Sequence, residues 1–173
     1  KAALTGKDSP GNQYLRRVAT LSAQATPKLA EVAHSQDIER SPPDPIFLIG
    51  FPRSGTTLLE QMLDSHPALQ AMEEKGAVAA MVNAFLESAG DNPEALAELN
   101  DEKIQQLRQC YFDEVKKHLT LRPDAILVDK MPLNTVNIPV IWRVFPKAKF
   151  ILAIRHPCDA SLSCLMQNFA VNA

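Results

Sequence analysis

Residues 45–63, Pro-Ile-Phe-Leu-Ile-Gly-Phe-Pro-Arg-Ser-Gly-Thr-Thr-Leu-Leu-Glu-Gln-Met-Leu, constrain the fold of this chain more than any other stretch. Ile46 to Ile49 form a short apolar, β-prone run that ends at Gly50. A tight polar loop follows. A helix then begins, with Leu58, Leu59, Met62 and Leu63 predicted on its apolar side. Strand, glycine loop and helix in this order form a cradle for an anion. Gly55 allows the backbone to approach it closely, and the first amides of the new helix point at it. Ser54, Thr56 and Thr57 add hydroxyl donors, and Arg53 adds a cation within the loop. Gly50 and Gly55 stand at the spacing of a nucleotide-binding phosphate loop, but the position of its lysine holds Thr56. The loop therefore suits a phosphate other than the β,γ-phosphates of ATP with magnesium.

The remaining chain alternates strands with helices. Further strands are predicted at 125–128 and 149–154. Helices are predicted at 13–36 (broken near Pro27), 76–87, 102–118 and 134–145, with a last one from about Asp159. Ser41-Pro42-Pro43-Asp44-Pro45 is a rigid linker, Asp91-Asn92-Pro93 reads as a helix start, and residues 1–12 as a frayed end. This alternation implies an α/β fold, a parallel sheet flanked by helices with an N-terminal helical segment. The expected division is residues 1–44 for that segment and its linker, and 45–173 for the α/β domain. Parallel sheets bind ligands beyond the carboxyl ends of their strands. Here those ends deliver Gly50 with its loop, Asp129-Lys130 and Arg155 to one edge.

Composition narrows the function classes. With 46% apolar and 22% charged residues, the 173-residue chain is an ordinary globular protein. A net charge of −2 gives no general attraction for nucleic acid, and no apolar run reaches the roughly 20 residues of a membrane span. Cys110, Cys158 and Cys164 do not suggest a disulfide framework, so a cytoplasmic setting is expected. His156, Cys158 and Cys164 lack a second pair at metal-binding spacing, and no metal is expected. The chain opens on Lys1 and its last helical pattern runs to the end at Ala173, so a fragment of a longer protein, incomplete at its C-terminus, is expected.

Phe-Pro-Arg-Ser-Gly-Thr-Thr-Leu-Leu resembles the 5′-phosphosulfate loop of sulfotransferases that use 3′-phosphoadenosine 5′-phosphosulfate (PAPS). The closest likeness is to tyrosylprotein sulfotransferases and to bacterial sulfotransferases fused to tetratricopeptide repeats. The resemblance extends over about Pro45 to Asn172. It implies a P-loop-type three-layer sheet, PAPS as co-substrate, a hydroxyl or amine acceptor, and tetratricopeptide repeats upstream in a full-length protein. It also assigns roles. Arg53, Ser54, Gly55, Thr56 and Thr57 would bind the 5′-phosphosulfate, and Arg155 with Ser163 the 3′-phosphate that ATP lacks. Lys130 of the Asp-Lys-Met-Pro stretch would approach the leaving oxygen. Glu74, the second of a glutamate pair, would be the general base, with Glu73 as its alternative. The flanks depart from the family, with Ala71-Met72 before the pair and Lys75 after it.

Two other readings remain open at this level. In a P-loop kinase or nucleoside triphosphatase, Thr57 and Asp129 would hold magnesium, since an apolar strand ending in aspartate is also how a magnesium ligand looks. A non-catalytic nucleotide-binding module would keep the loop and dispense with Glu74.

Overall fold

The computed structural model describes residues 10–34, 42–90, 92 and 94–167. The expectations for residues 1–9, for Ser41, for Asp91 and Pro93 and for the end of the last helix lie outside them.

Two helices open the described chain, α1 (Pro10–Ala23) and α2 (Pro27–His34), parted where Pro27 predicts a break. The α/β unit then runs β1 (Ile46–Gly50), α3 (Thr56–Asp64), β2 (Leu69–Glu73), α4 (Ala77–Ala89), α5 (Asp101–Lys116) and β3 (Ile126–Lys130). A 3-10 helix (Pro132–Asn137), α6 (Ile138–Val144), β4 (Lys149–Ala153) and α7 (Pro157–Leu165) complete it. The four strands are parallel, in the order β2-β3-β1-β4. The fold is thus α/β, as the alternation predicts.

β1 and β3 are the inner strands, and both are buried along almost their whole length, which explains their continuous apolar runs. The chain leaves β1 toward β2 on one side and leaves β3 toward β4 on the other. Their carboxyl ends therefore flank the crevice where open parallel sheets hold ligands. Gly50 is required at this edge. A Cβ there would lie 2.6 Å from the carbonyl oxygen of its β4 partner Ala153.

Phe47 of β1 packs on Tyr111 of α5 and on Phe145 and Phe150, with ring centroids 5.8 to 6.1 Å apart. Each such buried ring contributes roughly 1.5–3 kcal/mol. Arg108 of α5 ties the linker to this core. It pairs with Asp44 at 2.5 Å, donates to the Pro42 carbonyl at 2.9 Å, and lies 4.7 Å from the Phe145 ring centroid.

Several local expectations need correction. β2 is a strand beyond those that the sequence predicts. Its sequence, Leu-Gln-Ala-Met-Glu, has no β-branched residue, and pairing to β3 makes it a strand. The predicted helix start at Asn92 gives only turns. α5 begins later, where the Asn100 side chain accepts from the Lys103 amide at 2.9 Å. The 134–145 helix is a 3-10 segment followed by α6. On α3, Leu58 and Met62 are exposed, while Thr56 and Glu60 are buried. The inward face of α3 thus carries Thr56 and Glu60, with Leu59 and Leu63 half-buried beside them.

Asp129 faces the aromatic core, where the Tyr111 hydroxyl donates to it at 2.9 Å. Burial raises its carboxyl from 3.8 to about 7, against the opposing hydrogen bond from Tyr111. Below about pH 4 the native and unfolded chains both carry this proton. Between 4 and 7 only the unfolded chain releases it, so stability falls as pH rises through that window, by at most about 1.4 kcal/mol per pH unit. Asp129→Asn is expected to match the parent at pH 4 and to melt higher at pH 8, by roughly 9–17 °C at about 2–4 °C per kcal/mol, read by scanning calorimetry. A difference in melting temperature that does not change with pH would contradict this.

Candidate active site

Beyond Gly50 the backbone turns sharply, and Arg53 takes a left-handed conformation with φ of 69°. Gly55 follows at φ 86° and caps α3 without a side-chain hydrogen bond. The first amides of α3 are thus left without the usual capping partner, at the positive end of a helix dipole. Among the described residues, Arg53 and Glu74 (φ 46°) are the only non-glycine residues with positive φ. Such backbone costs about 1–2 kcal/mol per residue and persists where the surroundings enforce it. The Arg155 guanidinium donates to the Arg53 carbonyl at 3.1 Å, and the Glu74 amide to the Lys130 carbonyl at 2.8 Å.

These two strained residues line the same cavity, of about 440 Å³, with Pro52, Gly55, Thr56, Thr57, Met131, Pro132, Leu133, Arg155 and Gln167. Five residues expected from sequence at the phosphate sites, Arg53, Gly55, Thr56, Thr57 and Arg155, thus meet Glu74 across one space. Ser163 stands behind the wall and accepts from the Arg53 Nε at 3.1 Å, linking α7 to the loop. Ser54 does not line the cavity. Its amide closes the turn onto the Phe51 carbonyl at 3.2 Å.

Lys130 is completely buried and does not itself line the cavity; it meets the cavity through Glu74. Its ammonium donates to Glu74 Oε1 at 2.8 Å and to Glu73 Oε1 at 2.9 Å, and Glu60 Oε2 lies 3.3 Å away. Burial works to lower the Lys130 ammonium. The hydrogen bonds to Glu74 and Glu73, with the Glu60 charge, outweigh it and hold the ammonium above its ordinary value. The Lys130 hydrogen bond pulls Glu73 below the usual carboxylate range, whereas burial pushes Glu60 up against the pull of Lys130. Glu60 is the site residue that the sequence reading misses. The signal was a charge in the midst of a predicted apolar side, four residues after Thr56 and so on the same helix face.

The pair that would hold magnesium in a nucleoside triphosphatase is separated. Thr57 lines the cavity, while Asp129 lies on the opposite side of the sheet edge from Lys130, sealed against Tyr111. A smaller cavity of about 200 Å³ adjoins at Met131 and Leu133. Arg17, Lys75, Asn134 and Asn137 are among its lining residues. Among the described residues no helix is long and apolar enough to cross a membrane.

The model of a family described as the sulfotransferase family matches residues 45–173. An uncharacterized protein of Aquifex aeolicus is 38% identical over 133 residues, which is 73% of this chain and 17% of that protein. Protein-tyrosine sulfotransferase 1 of Homo sapiens is 32% identical over 115 residues, 64% of this chain and 30% of that protein. The chain thus spans less than a third of the length of these relatives. A crystal structure of a sulfotransferase from Mycobacterium avium superposes with a TM-score of 0.44 at 17% identity. That superposition covers 89% of this chain and 51% of that one.

Proposed function

Since this chain belongs to the sulfotransferase family, we propose that its cavity takes PAPS and that its residues transfer the sulfuryl group to a hydroxyl or amine acceptor. The observation that carries this reading is the pair of strained residues, Arg53 and Glu74, a cation and a carboxylate facing one cavity. The donor set fits the nucleotide. Uncapped helix amides with Thr56 and Thr57 suit the 5′-phosphosulfate, and Arg155 with Ser163, joined through Arg53, suits the 3′-phosphate.

When bound, PAPS supplies an activated sulfuryl group on a phosphate leaving group. Glu74 takes the proton of the acceptor as it attacks. Lys130, released by Glu74, donates to the leaving phosphate oxygen, and Arg53 stabilises the charge that develops. A sulfuryl group carries less negative charge than a phosphoryl group, so these fixed cations serve where a kinase uses magnesium, and no metal is required. The separation of Asp129 from Thr57 supports this over a triphosphatase. We place the transferase domain at residues 45–173, with residues 1–44 as a helical segment and linker. The setting is cytoplasmic, and tetratricopeptide repeats precede the chain in the full-length protein.

The test is binding of the product, 3′-phosphoadenosine 5′-phosphate, by calorimetry. Arg155→Ala is expected to weaken it about 10- to 100-fold, from the loss of charge-assisted contacts worth roughly 1.5–3 kcal/mol, while ADP binding changes little. Equal losses for both nucleotides would remove Arg155 from a 3′-phosphate site.

A further inference from the structure

Three carboxylates surround the Lys130 ammonium, and their surroundings differ sharply. The side chains of Glu73 and Glu74 are 59% and 53% exposed, that of Glu60 only 10%, and that of Lys130 not at all. Glu73 and Glu74 sit at the open end of β2, one ending the strand and the other on strained backbone beyond it. Both can swing into solvent or toward a ligand. Glu60 is fixed to the inward face of α3, in register with Thr56 on the cavity wall, and its Oε2 makes no hydrogen bond of its own. Among the described residues, Lys130 forms its ion pairs with these three carboxylates. Its strand neighbour Asp129 turns to the other face and meets Tyr111.

From this geometry we propose that Glu60 is a positioning residue, the one carboxylate that stays on Lys130 when Glu74 leaves it for the acceptor. The proposal rests on the sulfotransferase reading for its role in turnover, but the Glu60–Lys130 contact is testable without it. A base that is also the counter-ion of a buried ammonium creates a problem. As Glu74 turns away or gains a proton, Lys130 loses one of its two hydrogen-bonded carboxylates and keeps only the exposed Glu73. The buried ammonium would then tend more to release its own proton. Glu60 removes that tendency, because its charge remains close to Nζ whatever the exposed pair does. It also fixes the direction of the ammonium at the end of β3, next to Glu74 of the cavity lining. Glu60 touches neither donor nor acceptor in this scheme. It acts through Lys130.

The test is competitive acetylation of Lys130 against pH in the full-length protein, read by mass spectrometry, for the parent, Glu60→Gln and Glu60→Asp. Glu60→Gln keeps the shape and removes the charge. It is expected to shift the Lys130 titration down by about one pH unit, roughly a tenfold gain in reactivity at a pH below the midpoint. Glu60→Asp keeps the charge and is expected to restore at least half of that shift. Where transfer is measured, Glu60→Gln lowers kcat about a hundredfold and moves the alkaline limb of the pH–rate profile to lower pH, while 3′-phosphoadenosine 5′-phosphate still binds within about threefold. An unchanged Lys130 titration in folded Glu60→Gln overturns the proposal. So does an equal effect of the Gln and Asp variants, which would make the contact one of packing alone. Loss of nucleotide binding in the parent itself would instead overturn the donor-site reading and leave the labelling result to decide the part played by Glu60.

Discussion

Lys130→Ala is expected to lower both stability and turnover, because one buried ammonium serves three carboxylates. Removing the ammonium leaves Glu60 buried without a counter-ion and brings Glu73 and Glu74 together with no cation between them. Breaking a buried ion pair from one side typically costs about 3–5 kcal/mol, far more than the pair contributes when intact. Glu60 relieves part of this by taking a proton, and its carboxyl is already held above the usual range by burial. The sign of the pH dependence follows. As pH falls, the stranded carboxylates are protonated and the gap between parent and variant closes. Equilibrium urea unfolding at pH 5 and pH 8 checks this, with the larger deficit expected at pH 8. In turnover, loss of the donor to the leaving oxygen is expected to cost about 100- to 1,000-fold in kcat. A variant as stable as the parent at both pH values would show that Lys130 is not the hub of this cluster.

The second large effect is expected at Glu74. Glu74→Gln keeps the hydrogen bond to Lys130 and the size of the side chain but removes the base, so kcat should fall about 100- to 10,000-fold. Binding of 3′-phosphoadenosine 5′-phosphate should change little, because the donor contacts lie on the loop and beside Arg155. Glu73→Gln, by contrast, should cost less than about tenfold. Glu73 ends β2 with its side chain outside the cavity lining, whereas Glu74 lines it, held there on left-handed backbone. An acceptor with a more acidic hydroxyl should rescue Glu74→Gln, since it needs less help to lose its proton. The opposite ranking of the two variants would move the base to Glu73.

The parts of this fold that were legible in the sequence are those where one physical requirement dominates. The apolar runs at 46–49 and 125–128 read as strands, and Gly50 and Gly55 are dictated by a close strand contact and a left-handed turn. The convergence of the loop with Arg155 at the strand ends follows from parallel topology. β2 escaped because an edge strand need not be apolar, and its residues owe their conformation to β3. Glu60 escaped because helical periodicity weighs apolar residues. On α3 the buried partners are a threonine and a carboxylate, and the leucine and methionine expected inside, Leu58 and Met62, face out. The strain at Arg53 and Glu74 has no sequence signal, since neither residue type favours positive φ.

The fit of the cavity to a 3′-phosphorylated nucleotide separates sulfuryl from phosphoryl transfer. It is tested most directly by comparing melting temperatures with 3′-phosphoadenosine 5′-phosphate, ADP and ATP–magnesium, each at equal concentration. A ligand at a hundredfold its dissociation constant adds about 2.7 kcal/mol to the native state, roughly 5–10 °C for a chain of this size. 3′-Phosphoadenosine 5′-phosphate is expected to give that rise, and ADP and ATP–magnesium much less. A larger rise with ATP–magnesium would contradict that fit and return the loop to phosphoryl chemistry.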